Sequence, residues 1–352
     1  MGLVKSAGTA GAVCVLALTL AAAPASADPA WTTVFETRST DRVTSVAAGS
    51  AANQWAVGRP GDRAFRNTGG GWREVALPSG GARLGKVTAS RDDNTWFTGA
   101  NELLRYSAGS WRRHPLPSDL EVRDIEATGR DGVWVAGEHS VPPRDPDPEA
   151  PEPEGTPFLR HFDGARWTEH PLPSGVTVAD LARRTDGEVW AAGAGEQGTV
   201  ALRWNGSSWT VHRPPAPSVG GETEVQSVAP VNSGDVRVFG RNHRAPTGAV
   251  GFRFDGTSWT EITAPVTTSG FHDSTSDGAG GVWLGDPWAT SIWRHTGGDW
   301  KRYTLPWKSG QWQTEMFAFA RVPGTSRLLV GGHLDRSGEG GTHTYSGVIL
   351  EN

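Results

Sequence analysis

Three aspartates recur at one position of an internal sequence repeat, where they could bind a cation. When the copies of the repeat are aligned, Asp124, Asp180 and Asp273 occupy equivalent places in the first strand predicted for their units. Ca²⁺ is bound through oxygen ligands such as carboxylates, so three carboxylates converging on one axis would suit this ion. The alternative is a water-filled polar channel without a metal, and no other cofactor is predicted.

Three tryptophans near the C-terminus could contact a ligand. Trp288, Trp307 and Trp312 fall outside the repeated positions, so packing between repeat units does not account for them. An exposed aromatic ring beside carboxylates and amides suits the apolar faces and hydroxyl groups of a sugar. The sequence therefore predicts that these residues help to bind an extracellular glycan or protein. The polar residues of the same candidate site are His272, Asp286, Glu315 and His333.

The sequence shows no complete set of catalytic residues. Its one cysteine, Cys14, lies within a predicted targeting segment, so the chain that follows has no thiol for disulfides, thiolate catalysis or metal binding. Binding without catalysis is therefore the main prediction. A hydrolase or lyase stays open as the alternative, because the three aspartates and His272 could perform general acid–base chemistry. A scaffold for subunit assembly is a third alternative.

A repeat that runs through most of the chain must position these residues. Its first signature is an apolar stretch ending in glycine, and its second is an arginine-aromatic pair, a glycine turn and a tryptophan. Asp-Gly and Asn-Gly between β-prone runs are typical of hairpins, because Gly and Asn tolerate positive φ. The spacing of the copies, about 38 to 56 residues, is that of propeller blades. The first signature occurs at residues 54–58, 95–99, 133–137, 189–193, 236–240, 282–285 and 328–331.

Each unit is predicted to form four strands, and the seventh unit lacks its last one. Residues 30–35 resemble the fourth strands of the other units, so the N-terminal segment should complete the seventh sheet. Such closure pairs the first and last strands and removes the exposed edges of an open array. We therefore predict an all-β, seven-bladed β-propeller whose ring is closed by the N-terminal strand.

Two sets of repeated residues are better explained by packing than by ligand binding. Tryptophans that recur at one position of each unit suit contacts between blades, since aromatic rings dominate core burial. The recurring arginines are expected to pair between neighbouring blades or to pack over a tryptophan. The tryptophans are Trp72, Trp111, Trp167, Trp209, Trp259 and Trp300, and the arginines are Arg66, Arg105, Arg203, Arg253 and Arg294.

The two signatures together resemble the repeats of exported bacterial propellers grouped with the kelch and galactose-oxidase-like propellers. The resemblance covers nearly the whole chain after the targeting segment, and it implies the propeller fold without specifying a function. Two features depart from known repeats: the glycine pair of kelch blades occurs only as Gly331-Gly332, and Asp163-Gly164 lacks the intervening residue of sialidase Asp-boxes. Residues 91–98 also resemble one blade of the streptogramin-lyase propellers, although the other units do not repeat them.

The first 27 residues have the features of a secretory signal peptide. Lys5 precedes an apolar run, and Ala25-Ser26-Ala27 matches an A-x-A cleavage site. We therefore expect a secreted, extracellular protein whose propeller domain covers residues 28–352. An acidic, proline-rich loop at residues 138–157 interrupts the third blade.

Charge and hydropathy exclude two classes of partner. The formal net charge is −5 with both signs mixed along the chain, which argues against a nucleic acid. No apolar segment after the predicted signal peptide reaches the length that spans a bilayer, so no membrane insertion is predicted. We expect the protein to be a monomer.

Overall fold

The computed structural model describes residues 30–37, 41–60, 62–91, 93–140, 155–184, 186–265, 270–286, 291–306, 311–337 and 343–352, without the side chains of residues 311–314, 336, 337 and 343. The described ring, Trp31–Asn352, is one compact unit. The predicted signal peptide and residues 141–154 of the acidic loop lie outside the described residues. In the described part of the chain, no helix is long and apolar enough to cross a membrane.

Within these ranges, 28 strands form seven sheets of four antiparallel strands, here called blades one to seven. The first strand, β1 (Thr32–Glu36), belongs to blade seven. Blade one contains β2 (Arg42–Ser50), β3 (Asn53–Arg59), β4 (Arg63–Asn67) and β5 (Trp72–Val75). Blade two contains β6 (Val87–Ser90), β7 (Asn94–Thr98), β8 (Glu102–Ser107) and β9 (Ser110–Pro115). Blade three contains β10 (Leu120–Thr128), β11 (Gly132–His139), β12 (Thr156–Phe162) and β13 (Trp167–Glu169).

The remaining blades follow the same order. Blade four contains β14 (Thr177–Arg183), β15 (Val189–Gly195), β16 (Gly198–Trp204) and β17 (Trp209–His212). Blade five contains β18 (Glu224–Asn232), β19 (Asp235–Arg241), β20 (Ala249–Phe254) and β21 (Trp259–Ile262). Blade six contains β22 (Ser274–Ser276), β23 (Gly281–Gly285), β24 (Ser291–Thr296) and β25 (Asp299–Thr304). Blade seven contains β26 (Gln311–Arg321), β27 (Leu328–Ser337), β28 (His343–Glu351) and β1.

The N-terminal strand completes the last sheet, which confirms the predicted seven-bladed ring. β1 runs antiparallel to β28, with Thr32 opposite Glu351. The Trp31 ring meets Trp283 of blade six edge-on, at 5.6 Å between ring centroids. The first strand therefore pairs with the last strand of the chain and packs against the blade before it, which closes the ring.

The glycine that ends the apolar stretch of the repeat is required because two neighbouring strands approach closely there. A β-bulge places two residues of the inner strand opposite one residue of its neighbour. In blade four, a Cβ on Gly193 would lie 1.8 Å from the Thr177 carbonyl oxygen, beside the bulge that precedes Asp180. In blade seven this position is held by Gly332, one residue later than the sequence alignment predicted. Only glycine leaves room at these positions.

The turn tryptophans pack between blades, as predicted. Trp55 of blade one is fully buried, and the ring of Trp111 from blade two lies 6.2 Å from it. The Trp111 indole N–H donates to the Ala76 carbonyl oxygen, just after β5, at 2.8 Å. Trp300 of blade six makes the same kind of bond to Thr263, just after β21. Trp111 and Trp300 therefore each hold their own blade to the blade before it.

Arg66 and Arg105 make both of the predicted contacts, whereas the other recurring arginines pair with a carboxylate of their own blade. Arg66 lies over the Trp55 ring, 5.1 Å from its centroid. Its Nη2 donates to Oδ1 of Asp93 in blade two at 2.7 Å. Arg105 lies over the ring of Trp96 in its own blade and pairs with Asp131 of blade three. Packing and contact between blades account for these charges without an anionic ligand.

Blade five replaces the buried tryptophan of the repeat with an arginine. Arg237 is 1% exposed and donates to both carboxylate oxygens of Asp235, at 3.0 and 2.8 Å. Its remaining donors reach the carbonyl oxygens of His295 and Gly280 in blade six, both at 2.9 Å. The buried charge is therefore paired and fully hydrogen-bonded, as a buried ion must be, and it joins two blades.

Replacing Trp31 with alanine should destabilise the ring. Truncation of a buried tryptophan costs about 3–5 kcal/mol, and we expect about 2–3 kcal/mol for this half-buried ring because part of its surface already contacts water. Urea unfolding followed by circular dichroism measures the change. Val34→Ala is the matched control on the same strand: Val34 is 40% exposed, and its loss should cost less than about 0.5 kcal/mol. Wild-type stability in Trp31→Ala would contradict closure by β1.

Candidate functional site

The inner strands surround a cavity of about 500 Å³ on the axis of the ring. Asp124, Asp180, Asp273 and Lys86 line it at equivalent positions of their blades. The tertiary structure therefore brings together the three aspartates that the sequence alignment selected.

The cavity has two ends with different side chains. We call the end at which the inner strands begin the loop mouth, and its lining residues are Thr44, Gln226, His272 and Phe317. We call the end at which they finish the turn mouth, and its lining residues are Arg91, Arg184, Arg321 and Pro323.

Each aspartate accepts a backbone hydrogen bond from the next blade. The three bonds are Leu181 N–H to Asp124 at 2.7 Å, Val228 N–H to Asp180 at 2.8 Å and Phe319 N–H to Asp273 at 2.9 Å. Ser45 of blade one accepts from the Val87 N–H of blade two at 3.0 Å in the same way. The repeated position thus supplies an acceptor for an N–H group at the seam between two blades, where buried backbone groups need partners. Sequence alignment found the position but gave no sign of this role.

Lys86 is the cation among these carboxylates. Its Nζ lies 2.7 Å from Oδ1 of Asp124, and its side chain is 46% exposed. Burial alone would lower the pKa of Lys86, but the charges of Asp124, Asp180 and Asp273 raise this pKa above its ordinary value. A charged ammonium group therefore lies where the sequence suggested a Ca²⁺ ion.

A metal site from the aspartates stays a prediction. Among the described residues, no group of three or more His, Cys, Asp or Glu side chains is arranged to hold a metal ion. A Ca²⁺ ion bound by Asp124, Asp180 and Asp273 would have to compete with Lys86 for the same carboxylates, because like charges repel at short range.

Several carboxyl groups of the cavity have raised pKa values. Burial raises the pKa of Asp273 to about 7, although the backbone N–H groups bound to it favour its charged form. Burial also raises the pKa of Glu126 to about 7, against the opposing charge of Arg183, whose Nε lies 3.3 Å from Oε1 of Glu126. Burial and the charge of Asp124 raise the pKa of Asp180. The net charge of the cavity therefore changes near neutral pH.

A stacked aromatic pair lies at the loop mouth. Phe317 stacks on His333 with ring centroids 5.4 Å apart and an interplanar angle of 17°. His333 is 1% exposed, and its Nε2 lies 3.6 Å from Oε2 of Glu315. Burial and the charge of Arg42 lower the pKa of His333 to about 4, while burial raises the pKa of Glu315. A neutral imidazole therefore supports the ring of Phe317 at the cavity wall.

The polar residues of the predicted ligand site lie at different places in the structure. His272 lines the cavity. Glu315 and His333 lie next to each other, outside the residues that line it. Asp286 is 3% exposed directly after β23.

The role of the three predicted ligand-binding tryptophans stays a prediction. Trp288 and Trp307 lie outside the described residues, and so does the side chain of Trp312, whose backbone belongs to β26. The site also contains Phe317, which sequence reasoning missed. The alignment could have found it, since Phe317 directly precedes Ala318 at the repeated inner-strand position.

Comparison with known proteins finds the fold but no family. No protein-family model matches this chain, and neither does any curated protein. Catalytically inactive virginiamycin B lyase from Staphylococcus aureus with quinupristin has a TM-score of 0.65 at 16% identity, over 91% of this chain and 98% of that one. YCF48 bound to D1 peptide has a TM-score of 0.61 at 16% identity, over 92% of this chain and 96% of that one.

A third solved structure matches only part of a larger protein. The extracellular domain of a putative one-component system from B. thetaiotaomicron has a TM-score of 0.60 at 13% identity, over 90% of this chain and 40% of that one. At these identities the similarity shows the fold alone. It supports the propeller, whereas the kelch or galactose-oxidase-like grouping is not confirmed, since the neighbours are streptogramin-lyase-like and YCF48 propellers. Function must therefore be argued from the site.

Replacing Lys86 with methionine should destabilise the protein more at pH 8 than at pH 5. Breaking a fully buried ion pair costs about 3–5 kcal/mol, and the partial exposure of Lys86 reduces the expected loss to about 1–2 kcal/mol at pH 8. At pH 5 the carboxyl groups with raised pKa are protonated, so less negative charge is left uncompensated. Urea unfolding at both pH values measures the difference.

Lys86→Arg is the matched control because it keeps the positive charge, and it should lose less stability at pH 8. In the wild type, the raised pKa of Asp273 means that the folded state binds more protons than the unfolded chain as the pH approaches 7. The contribution of Asp273 to stability therefore falls as the pH rises through this range. An equal loss in Lys86→Met at both pH values would contradict the electrostatic role.

Proposed function

We propose that the protein is an exported, extracellular binding propeller that engages a protein or glycan at the loop mouth without catalysing a reaction. The observation that carries this proposal is the hydrogen bonding of the aspartates that line the cavity. Both carboxylate oxygens of Asp124 and both of Asp273 accept hydrogen bonds from the chain itself. Carboxylates held in this way position blades and are poorly placed to exchange protons with a substrate.

The loop mouth has the composition of a binding site. Ligand sites are concave, with apolar contact surface and a few polar groups that fix orientation. Here Phe317 supplies the apolar surface, while Thr44, Gln226 and His272 supply hydrogen-bonding groups around it. The buried His333 beneath Phe317 holds the phenyl ring in place, so less conformational entropy is lost when a ligand binds.

Two observations support the two ligand classes. A propeller of the same fold, YCF48, has been solved with the D1 peptide, which makes a peptide segment a reasonable first probe for this chain. In sequence, Trp288 falls between β23 and β24, Trp307 falls between β25 and β26, and Trp312 belongs to the start of β26. Their type supports a glycan. Export rests on the signal-peptide features of residues 1–27.

Binding at the loop mouth is tested by immobilising the mature protein on a biosensor and probing it with a peptide library and a glycan array. We expect Phe317→Ala to weaken binding of a retained ligand about tenfold or more, because contacts at the centre of an interface dominate affinity. A variant with alanine at Trp288, Trp307 and Trp312 should lose glycans selectively. Val211→Ala is the control, since Val211 is 40% exposed on the outer strand β17. Absence of any ligand for the wild type would contradict the proposal.

A hydrolase or lyase activity is the second candidate. It is favoured by Asp273, whose pKa burial raises to about 7, and by the adjacent His272, whose pKa burial lowers. A carboxyl group that titrates near neutral pH beside a neutral imidazole has the composition that acid–base catalysis requires.

The catalytic alternative predicts turnover that depends on Asp273. Asp273→Asn should lower kcat on a polysaccharide or lactone by about a hundredfold or more, while thermal unfolding shows that the variant remains folded. Turnover is measured on a panel of both substrate types. No turnover by the wild type on that panel, or full activity in Asp273→Asn, would reject the catalytic alternative.

A further inference from the structure

Two arginines line the cavity at the turn mouth and form no ion pair with a carboxylate among the residues that the structure describes. Arg91 directly follows β6 and Arg321 ends β26, and both line the cavity. In the part of the chain that the structure describes, neither guanidinium forms an ion pair, and Arg321 has only the Thr325 carbonyl oxygen, 3.4 Å from its Nη1. The two arginines come from blades two and seven, on either side of blade one.

Other arginines around this mouth are paired. Arg183 lies 3.3 Å from Glu126, and Arg184 pairs with Asp186 and Glu188. The chain therefore supplies carboxylates to its neighbouring arginines and leaves Arg91 and Arg321 without one among the described residues.

The charge of Asp277 acts on Arg321, but both carboxylate oxygens of Asp277 already accept hydrogen bonds from other groups. Asp277 is 7% exposed, and its Oδ2 accepts from both Nε and Nη2 of Arg294 at 2.9 and 2.5 Å. Its Oδ1 accepts the backbone N–H groups of Ala279 and Gly281 at 2.7 and 2.8 Å. Asp277 thus compensates Arg321 only weakly.

The guanidinium of Arg321 has a built place in the turn mouth. It lies against Gly278, where a Cβ would be 2.4 Å from its Nη1, and Gly278 has a φ of +76°. Any larger residue would strain the turn and would require the guanidinium to move. Burial, and then the charge of Arg91, hold the pKa of Arg321 below its ordinary value. Two positively charged side chains therefore line the same end of the cavity, where their mutual repulsion is unfavourable.

We propose that the turn mouth binds a small oxyanion between Arg91 and Arg321. Phosphate, sulfate and carboxylate groups share the chemistry that a guanidinium recognises, since each accepts charge-assisted hydrogen bonds from its N–H groups. An anion between the two side chains would reduce the repulsion that the described residues compensate only weakly. This site lies at the other end of the cavity from the loop mouth, so it does not depend on the proposed ligand there.

Isothermal titration with inorganic phosphate, sulfate and citrate, at constant ionic strength set with sodium chloride, tests the proposal. We expect saturable binding of at least one of these anions to the wild type, and a loss of affinity of about tenfold or more in Arg91→Gln and in Arg321→Gln. Binding of phosphate or sulfate alone would identify a tetrahedral oxyanion as the ligand chemistry, and binding of citrate alone would identify a carboxylate.

Arg73→Gln is the matched control. It removes one exposed arginine charge from β5, away from the cavity, and should leave the affinity unchanged. Thermal unfolding without the anion gives an independent readout: Arg91→Gln and Arg321→Gln should be at least as stable as the wild type, because each relieves the repulsion between two cations. Equal affinity in wild type and both variants, or no saturable binding of any of the three anions, would overturn the proposal.

Discussion

Backbone N–H groups at the seams between inner strands need hydrogen-bond acceptors, and the centre of this ring is organised around that need. The inner strands of different blades do not pair as a continuous sheet, so the ladder of one blade cannot satisfy the N–H groups of the next. Side chains do so instead at four seams, through Ser45, Asp124, Asp180 and Asp273. A buried N–H without a partner would cost about as much as a lost hydrogen bond.

The choice of carboxylates for this task has electrostatic consequences. Three aspartates around one cavity are removed from water and also repel one another, and both effects raise the pKa of Asp180 and Asp273. Lys86 offsets part of this charge while it binds Asp124. The charged cavity is therefore explained first by how the blades are joined, and the perturbed pKa values follow from that arrangement without a catalytic role.

The two mouths of the cavity differ because different parts of the repeat form them. The loop mouth is formed where the inner strands begin, and it combines the Phe317–His333 stack with polar groups. The turn mouth is formed by the short turns that follow the inner strands, where Arg91 and Arg321 meet a glycine-rich turn. One scaffold can in this way present an aromatic, hydrogen-bonding surface at one end and a cationic one at the other, since function depends on the residues grafted on a fold.

The sequence by itself determined the number of blades, the order of strands and the closure by residues 30–35, because these follow from local patterns that repeat along the chain. It also showed that Arg66 and Trp111 serve packing, since each recurs in nearly every unit. Only the tertiary structure decided what the unrepeated contacts are. The bond from the Leu181 N–H to Asp124 joins residues 57 positions apart, and Arg91 and Arg321 line one cavity only because the ring closes. Such contacts leave no local pattern, because they depend on how the blades are arranged around the axis.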